Sequence, residues 1–138
     1  MKDCFYKVGL DGEIKLAVPT DNKMLRVPNG VTVIGDADKK TLVMRDFFPR
    51  NIVAYDGESF KTLATGTRGA DAVEFSDDAI YVSSWPLGKV WKHDRRTKQT
   101  TVLSDKFTTA ADFCFDRKNN QLIVPDMLAG MLTFLPLE

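Results

Sequence analysis

An all-β fold is predicted by three observations. Apolar residues alternate over short runs and almost nowhere recur at helical spacing, turn dipeptides such as Asp11-Gly12 and Asp56-Gly57 punctuate the runs, and one pattern repeats three times. The repeat is decisive, because short strands alone fit a sandwich, a barrel or a propeller equally well. Asn29, Asp71 and Asp112 each follow a small residue or precede one and introduce an alternating strand. They lie 42 and 41 positions apart.

The elements follow in order. A hairpin opens the chain, with strands expected at 5–10 and 13–18 around Asp11-Gly12, a pair that tolerates positive φ at both turn positions. Strands are then expected at 29–35, 40–45, 51–55 and 60–64, and again at 72–75, 79–84, 88–93 and 100–103. Three more, at 113–116, 121–125 and 131–135, close the chain. Asp and Asn clusters at 36–39, 76–78 and 116–120 supply the turn chemistry between them. A four-stranded unit of roughly 40–50 residues is the blade of a β-propeller.

This fixes the expected organisation: an outer-strand hairpin at 1–18, blades at 26–66 and 67–105, and the inner strands of a further blade at 106–138. Propellers close with about 4–8 blades, so an arc of about three four-stranded blades is too short to close alone. Its end blades would stay bare, an aggregation hazard. A homodimer completing a six-bladed ring is the simplest physical remedy, with the terminal segments sharing a blade. The alternative is that the chain is a segment of a single-chain propeller. Thirteen strands are expected where three blades need twelve, so either one terminal strand is displaced or the chain is such a segment.

Composition narrows the partners. With 138 residues, 43% hydrophobic, the chain can bury a core, and 19 basic against 19 acidic residues give none of the basic excess that nucleic-acid binding uses. Cys4 and Cys114 make no disulfide framework and no zinc set. The first residues lack the apolar run of a signal peptide, and nothing approaches the ~20 apolar residues of a membrane span. A cytoplasmic protein is expected, with no nucleic-acid or membrane partner. Cys114 is expected in the core, and His93, the single histidine, on the surface.

The stretches Val27-Pro28-Asn29-Gly30-Val31, Gly69-Ala70-Asp71-Ala72-Val73-Glu74-Phe75, Ile80-Tyr81-Val82-Ser83-Ser84-Trp85-Pro86-Leu87-Gly88 and Gln121-Leu122-Ile123-Val124-Pro125-Asp126 carry a resemblance. In them the chain resembles the second half of the regucalcin/gluconolactonase family of six-bladed propellers and its strictosidine-synthase-like relatives. The resemblance implies a divalent cation, usually calcium, at one mouth of the central channel. Asn29 matches the family's Asn ligand and Asp71 its Asp ligand, while the family's glutamate ligand belongs to a blade this chain lacks. Asp112 holds the same place in the next repeat. The implied metal set is Asn29, Asp71 and Asp112, and the implied activity is divalent-metal-dependent lactone or ester hydrolysis, with Asp71 and Asp112 as catalytic candidates.

Independently of that family, carboxylates converging near an axis repel, so their pKa values rise or a cation compensates them. Hard oxygen ligands select calcium or magnesium. The same Asx residues also fit a purely structural role, fixing turns by hydrogen bonds to nearby backbone. The loops from second to third strands should face the same mouth, which makes Arg45, Trp85 and Asp126 candidates for binding a small-molecule ligand, Arg45 by pairing an anionic group. A non-catalytic propeller module for a small ligand or protein, or an inactive half-propeller, is the alternative function.

Overall fold

A computed structural model describes residues 4–36, 39–47 and 51–137. It contains thirteen strands: β1 (Tyr6–Val8), β2 (Ile14–Leu16), β3 (Pro28–Gly35), β4 (Lys40–Asp46), β5 (Asn51–Tyr55), β6 (Phe60–Thr65), β7 (Ala70–Phe75), β8 (Ala79–Ser84), β9 (Lys89–Asp94), β10 (Thr100–Ser104), β11 (Cys114–Asp116), β12 (Gln121–Asp126) and β13 (Met131–Pro136). They form four antiparallel sheets in the orders β1-β2, β3-β4-β5-β6, β7-β8-β9-β10 and β11-β12-β13. The fold is an arc of β-propeller blades. Each blade is a meander, and β3, β7 and β11 are the innermost strands.

Blade packing follows from strand alternation, which sends successive side chains to opposite faces. Val43, Ile52, Ala54 and Ala64 from one face of the first blade meet Ala70, Val73, Ile80 and Val82 of the second. Ala72, Tyr81 and Val90 on the second blade's other face meet Phe113, Leu122 and Val124 of the third. The far face of the first blade presents Met44, Val53 and Tyr55, which pack on Val18 and Leu25 of the 17–27 connection and on Phe5. The β1-β2 hairpin is thus anchored on the flank where a preceding blade would stand.

The three blades share one irregularity at their inner edge. Pro28 pairs with Asp46, and the ladder resumes only at Val31 opposite Met44. Ala70 pairs with Ser84 and the ladder resumes at Val73 opposite Val82. Ala110 bridges Asp126 and pairing resumes at Cys114 opposite Ile123. Each inner strand thus carries one residue more than its partner over the same span, a β-bulge, which breaks the ladder and re-aims a side chain. Asn29, Asp71 and Asp112 each lie inside one of these three bulges.

Some expectations are corrected. The opening turn is wider than two residues: Val8 pairs with Ile14, and Gly9 to Glu13 form the loop, held by Gly9 N to Glu13 O (2.8 Å) and by Glu13 N donating to Asp11 Oδ1 (3.0 Å). The Asp11 side chain captures an amide that a two-residue turn would leave in the ladder. His93 is buried, not superficial, with Nδ1 3.0 Å from Thr100 Oγ1. Cys114 is exposed, because its side of β11 faces the flank that no blade of this chain covers. Expectations on the 48–50 loop lie outside the described residues.

Candidate functional site

The inner strands start and the second strands end at the same mouth of the arc, since Pro28 opposes Asp46, Ala70 opposes Ser84 and Ala110 opposes Asp126. There Asn29, Asp71 and Asp112 line one cavity of about 240 Å³ together with Glu74 and Phe113. Asn29 Nδ2 donates to Asp71 Oδ1 at 2.5 Å across the blade boundary. Gly30 makes this approach possible: a Cβ there would stand 2.6 Å from Asp71 O and 2.9 Å from Val73 N, both backbone atoms that cannot step aside. Only glycine lets two backbones come this close.

The electrostatics match the crowding. Partial burial, followed by repulsion from Asp71, pushes the Asp112 carboxyl above its ordinary range. Asp112 accepts one hydrogen bond, from the amide of its neighbour Phe113 at 3.1 Å. Asp71 accepts one from Asn29. Because an ionised carboxylate offers about four acceptor positions, both retain capacity on the cavity side. Among the described residues, no group of three or more His, Cys, Asp or Glu is arranged to hold a metal. The two carboxylates and the Asn29 carboxamide are hard oxygen donors of the right kind, yet calcium takes 6–8 oxygens, so one chain's set is partial.

The other three candidates are placed differently. Arg45 is fully buried on β4, where NH1 donates to Asn51 O at 2.6 Å, and burial lowers its pKa to about 10 against the opposing pull of Asp46. It stays protonated at neutral pH and presents no surface to a ligand. Asp126 is 5% exposed and binds backbone: Thr108 N at 2.6 Å, Thr109 N at 3.1 Å and Ala129 N at 3.2 Å, with Thr109 Oγ1 at 3.2 Å. Burial pushes the Asp126 carboxyl up, and these donors pull it back below the ordinary range. Trp85 is 41% exposed in the loop between β8 and β9.

The residue that sequence reasoning missed is Glu74. It lines the same cavity, and Thr32 Oγ1 lies 3.5 Å from its Oε2. The signal was present, since Thr32 and Glu74 are separated by the same 42 positions as Asn29 and Asp71.

No protein-family model matches the chain, and no curated protein matches it by sequence. Solved structures do. A nidogen/laminin complex chain superposes with a TM-score of 0.66 at 17% identity, over 85% of this chain and 46% of that one. A luciferin-regenerating enzyme superposes with a TM-score of 0.64 at 16% identity, over 86% of this chain and 42% of that one. At these identities the likeness establishes the propeller fold alone. The chain spans less than half the length of either neighbour.

Proposed function

We propose that the channel mouth is a cation-dependent site for a small polar ligand, of the lactone or ester hydrolase type. The observation that supports this reading is the unspent acceptor capacity of Asp71 and Asp112 on one cavity, with Asp112 held above its ordinary pKa by burial and by Asp71. A hard divalent cation, calcium by preference, would polarise a carbonyl and acidify a bound water. Asp71 and the Asn29 carbonyl oxygen are its first holders, since the Asn29–Asp71 hydrogen bond aligns them. Asp112, its carboxyl held above the ordinary range, is placed to accept a proton from water in the cavity. Glu74 supplies further negative charge below them.

The cavity favours a compact ligand. Drug-sized sites run to about 300–1,000 Å³, and 240 Å³ is smaller. A second reading, a non-catalytic platform, is supported by the Asn29–Asp71 bond itself, which spends part of the donor set on structure.

Calcium at millimolar concentration is expected to raise the Tm of the wild-type chain and to leave Asp71→Asn and Asp112→Asn unmoved, because only a ligand that binds the native state stabilises it. No shift in the wild type overturns the site. Given a shift, turnover across a panel of small lactones and esters supports the hydrolase, and a flat panel leaves the platform.

A further inference from the structure

We propose that the two end flanks of the arc are the two halves of one contact, and that a second copy of this chain occupies both, closing a ring whose twofold axis runs along the channel. This is independent of the chemistry at the mouth.

Fifteen large apolar residues are exposed among the described residues, and twelve of them sit in the hairpin, on β3, or in the last sheet and its β12-β13 turn. The three in between, Trp85, Leu87 and Val102, belong to the middle blade. On the last sheet, register places Cys114, Ile123 and Phe134 in one row and Pro125 with Leu132 in the next, all on the face turned away from the second blade. On the first flank, Tyr6 pairs with Leu16 and Val8 with Ile14 on one hairpin face, and Val31 and Val33 stand exposed on β3. Phe and Tyr side chains each carry about 150–250 Å². The exposed apolar side chains of the two flanks together offer on the order of several hundred Å² per protomer, comparable with one partner's share of a standard interface, about 800 Å².

The strand inventory specifies how the flanks join. Among the described residues the first two blades have four strands and the last has three, so β13 has a neighbour only in β12. Strand β2 pairs only with β1. It leads into the inner strand β3 as β6 leads into β7 and β10 into β11, so it runs in the direction of a fourth strand. The partner's β2 therefore fits antiparallel beside β13, giving the order β11-β12-β13-β2-β1 in the shared blade. The thirteenth strand is β1, the outermost of five. Each junction covers the Cys114–Ile123–Phe134 row with the partner's 17–27 connection and with the exposed Val31 and Val33 of its first blade. Two copies give six blades, within the about 4–8 that close a ring.

Sedimentation equilibrium on the chain tests this. The expected mass is twice 15.5 kDa. Ile14→Lys on β2 and Phe134→Lys on β13, at side chains 66% and 58% exposed in the single chain, are each expected to weaken association at least about tenfold, because a lysine is left buried and unpaired. Val102→Lys, on the outer edge of the middle blade, is expected to change nothing. Amide exchange needs no variant: the outward amides of β13 should exchange slowly at dimer concentrations and fast on dilution. A monomer at all concentrations overturns the proposal and assigns the flanks to a different occupant, such as further blades of a longer polypeptide. Species larger than a dimer, or a dimer indifferent to Ile14→Lys and Phe134→Lys, overturn it equally.

Discussion

Four aspartates at one mouth of the arc divide into two pairs with opposite duties. Asp46 and Asp126 end the second strands of the first and last blades, are buried, and take backbone amides: Arg26 and Val27 for Asp46, Thr108 and Thr109 for Asp126. Asp71 and Asp112 sit in bulges of the inner strands and hold one hydrogen bond each. The first pair closes the blade, and the second faces the cavity. In the middle blade Ser84 stands at the second-strand end, and its Oγ donates to Arg68 O at 2.7 Å, so the position serves the backbone in all three repeats. A carboxylate at a propeller mouth is thus a site candidate only after its amide partners have been counted.

Truncating the two pairs should separate them most. Asp46→Ala orphans the part-buried amides of Arg26 and Val27, at a total of about 1–3 kcal/mol. Asp126→Ala is expected to fall in the same direction. Asp71→Ala should stay within about 0.5 kcal/mol of wild type. Urea unfolding of the three variants checks the division, and equal losses in all three would dissolve it.

Gly30 sharpens the comparison next. Asp71 is placed by the contact of two backbones at Gly30, whereas Asp46 is placed by its own hydrogen bonds. Gly30→Ala should force β3 away from β7 at a loss of about 1–3 kcal/mol, typical of overpacking, and should release the Asn29 side-chain amide. Protection of that amide in NMR exchange reports the release. If Gly30→Ala is neutral and the amide stays protected, the bulge alone positions the pair.

The division was only half legible in the sequence. Strand alternation and turn residues, which are local signals, located all thirteen strands, and the 42- and 41-residue spacing located the three Asx positions. The place of Arg45 and Asp126 at the loop points to ligand contact, but Arg45 is fully buried, and Asp126 is taken by the amides of Thr108 and Thr109, 18 and 17 positions away. Periodicity carries no such long-range partner. Cys114 was misplaced for a related reason: alternation gives the face of β11 but not whether a blade covers it. His93 errs oppositely, since a polar residue on a third strand reads as surface until Thr100 is seen to satisfy it.

The smallest effect discriminates best, because it reverses sign between Asp112 and Asp126. Burial, then Asp71, raise the Asp112 carboxyl, so the fold favours its protonated form; that contribution is present at acid pH below the ordinary carboxylate range and is lost as pH rises through the raised value. At neutral pH the charge is a small cost, reduced further by solvent screening. Asp112→Asn is therefore expected to be slightly more stable than wild type at pH 7, with the gap closing as pH falls. Asp126 works the other way: burial raises its carboxyl, but the Thr108, Thr109 and Ala129 amides hold it below the ordinary range, so its contribution is present above that range and lost on acidification. Asp126→Asn should lose stability at pH 7 and lose less as pH falls. Thermal melts of both variants from pH 7 to pH 3 read the two slopes. Slopes of the same sign would make Asp112 another blade-closing carboxylate, whereas opposite slopes, with calcium erasing the advantage of Asp112→Asn over wild type, leave it as the charge that the cavity is built to use.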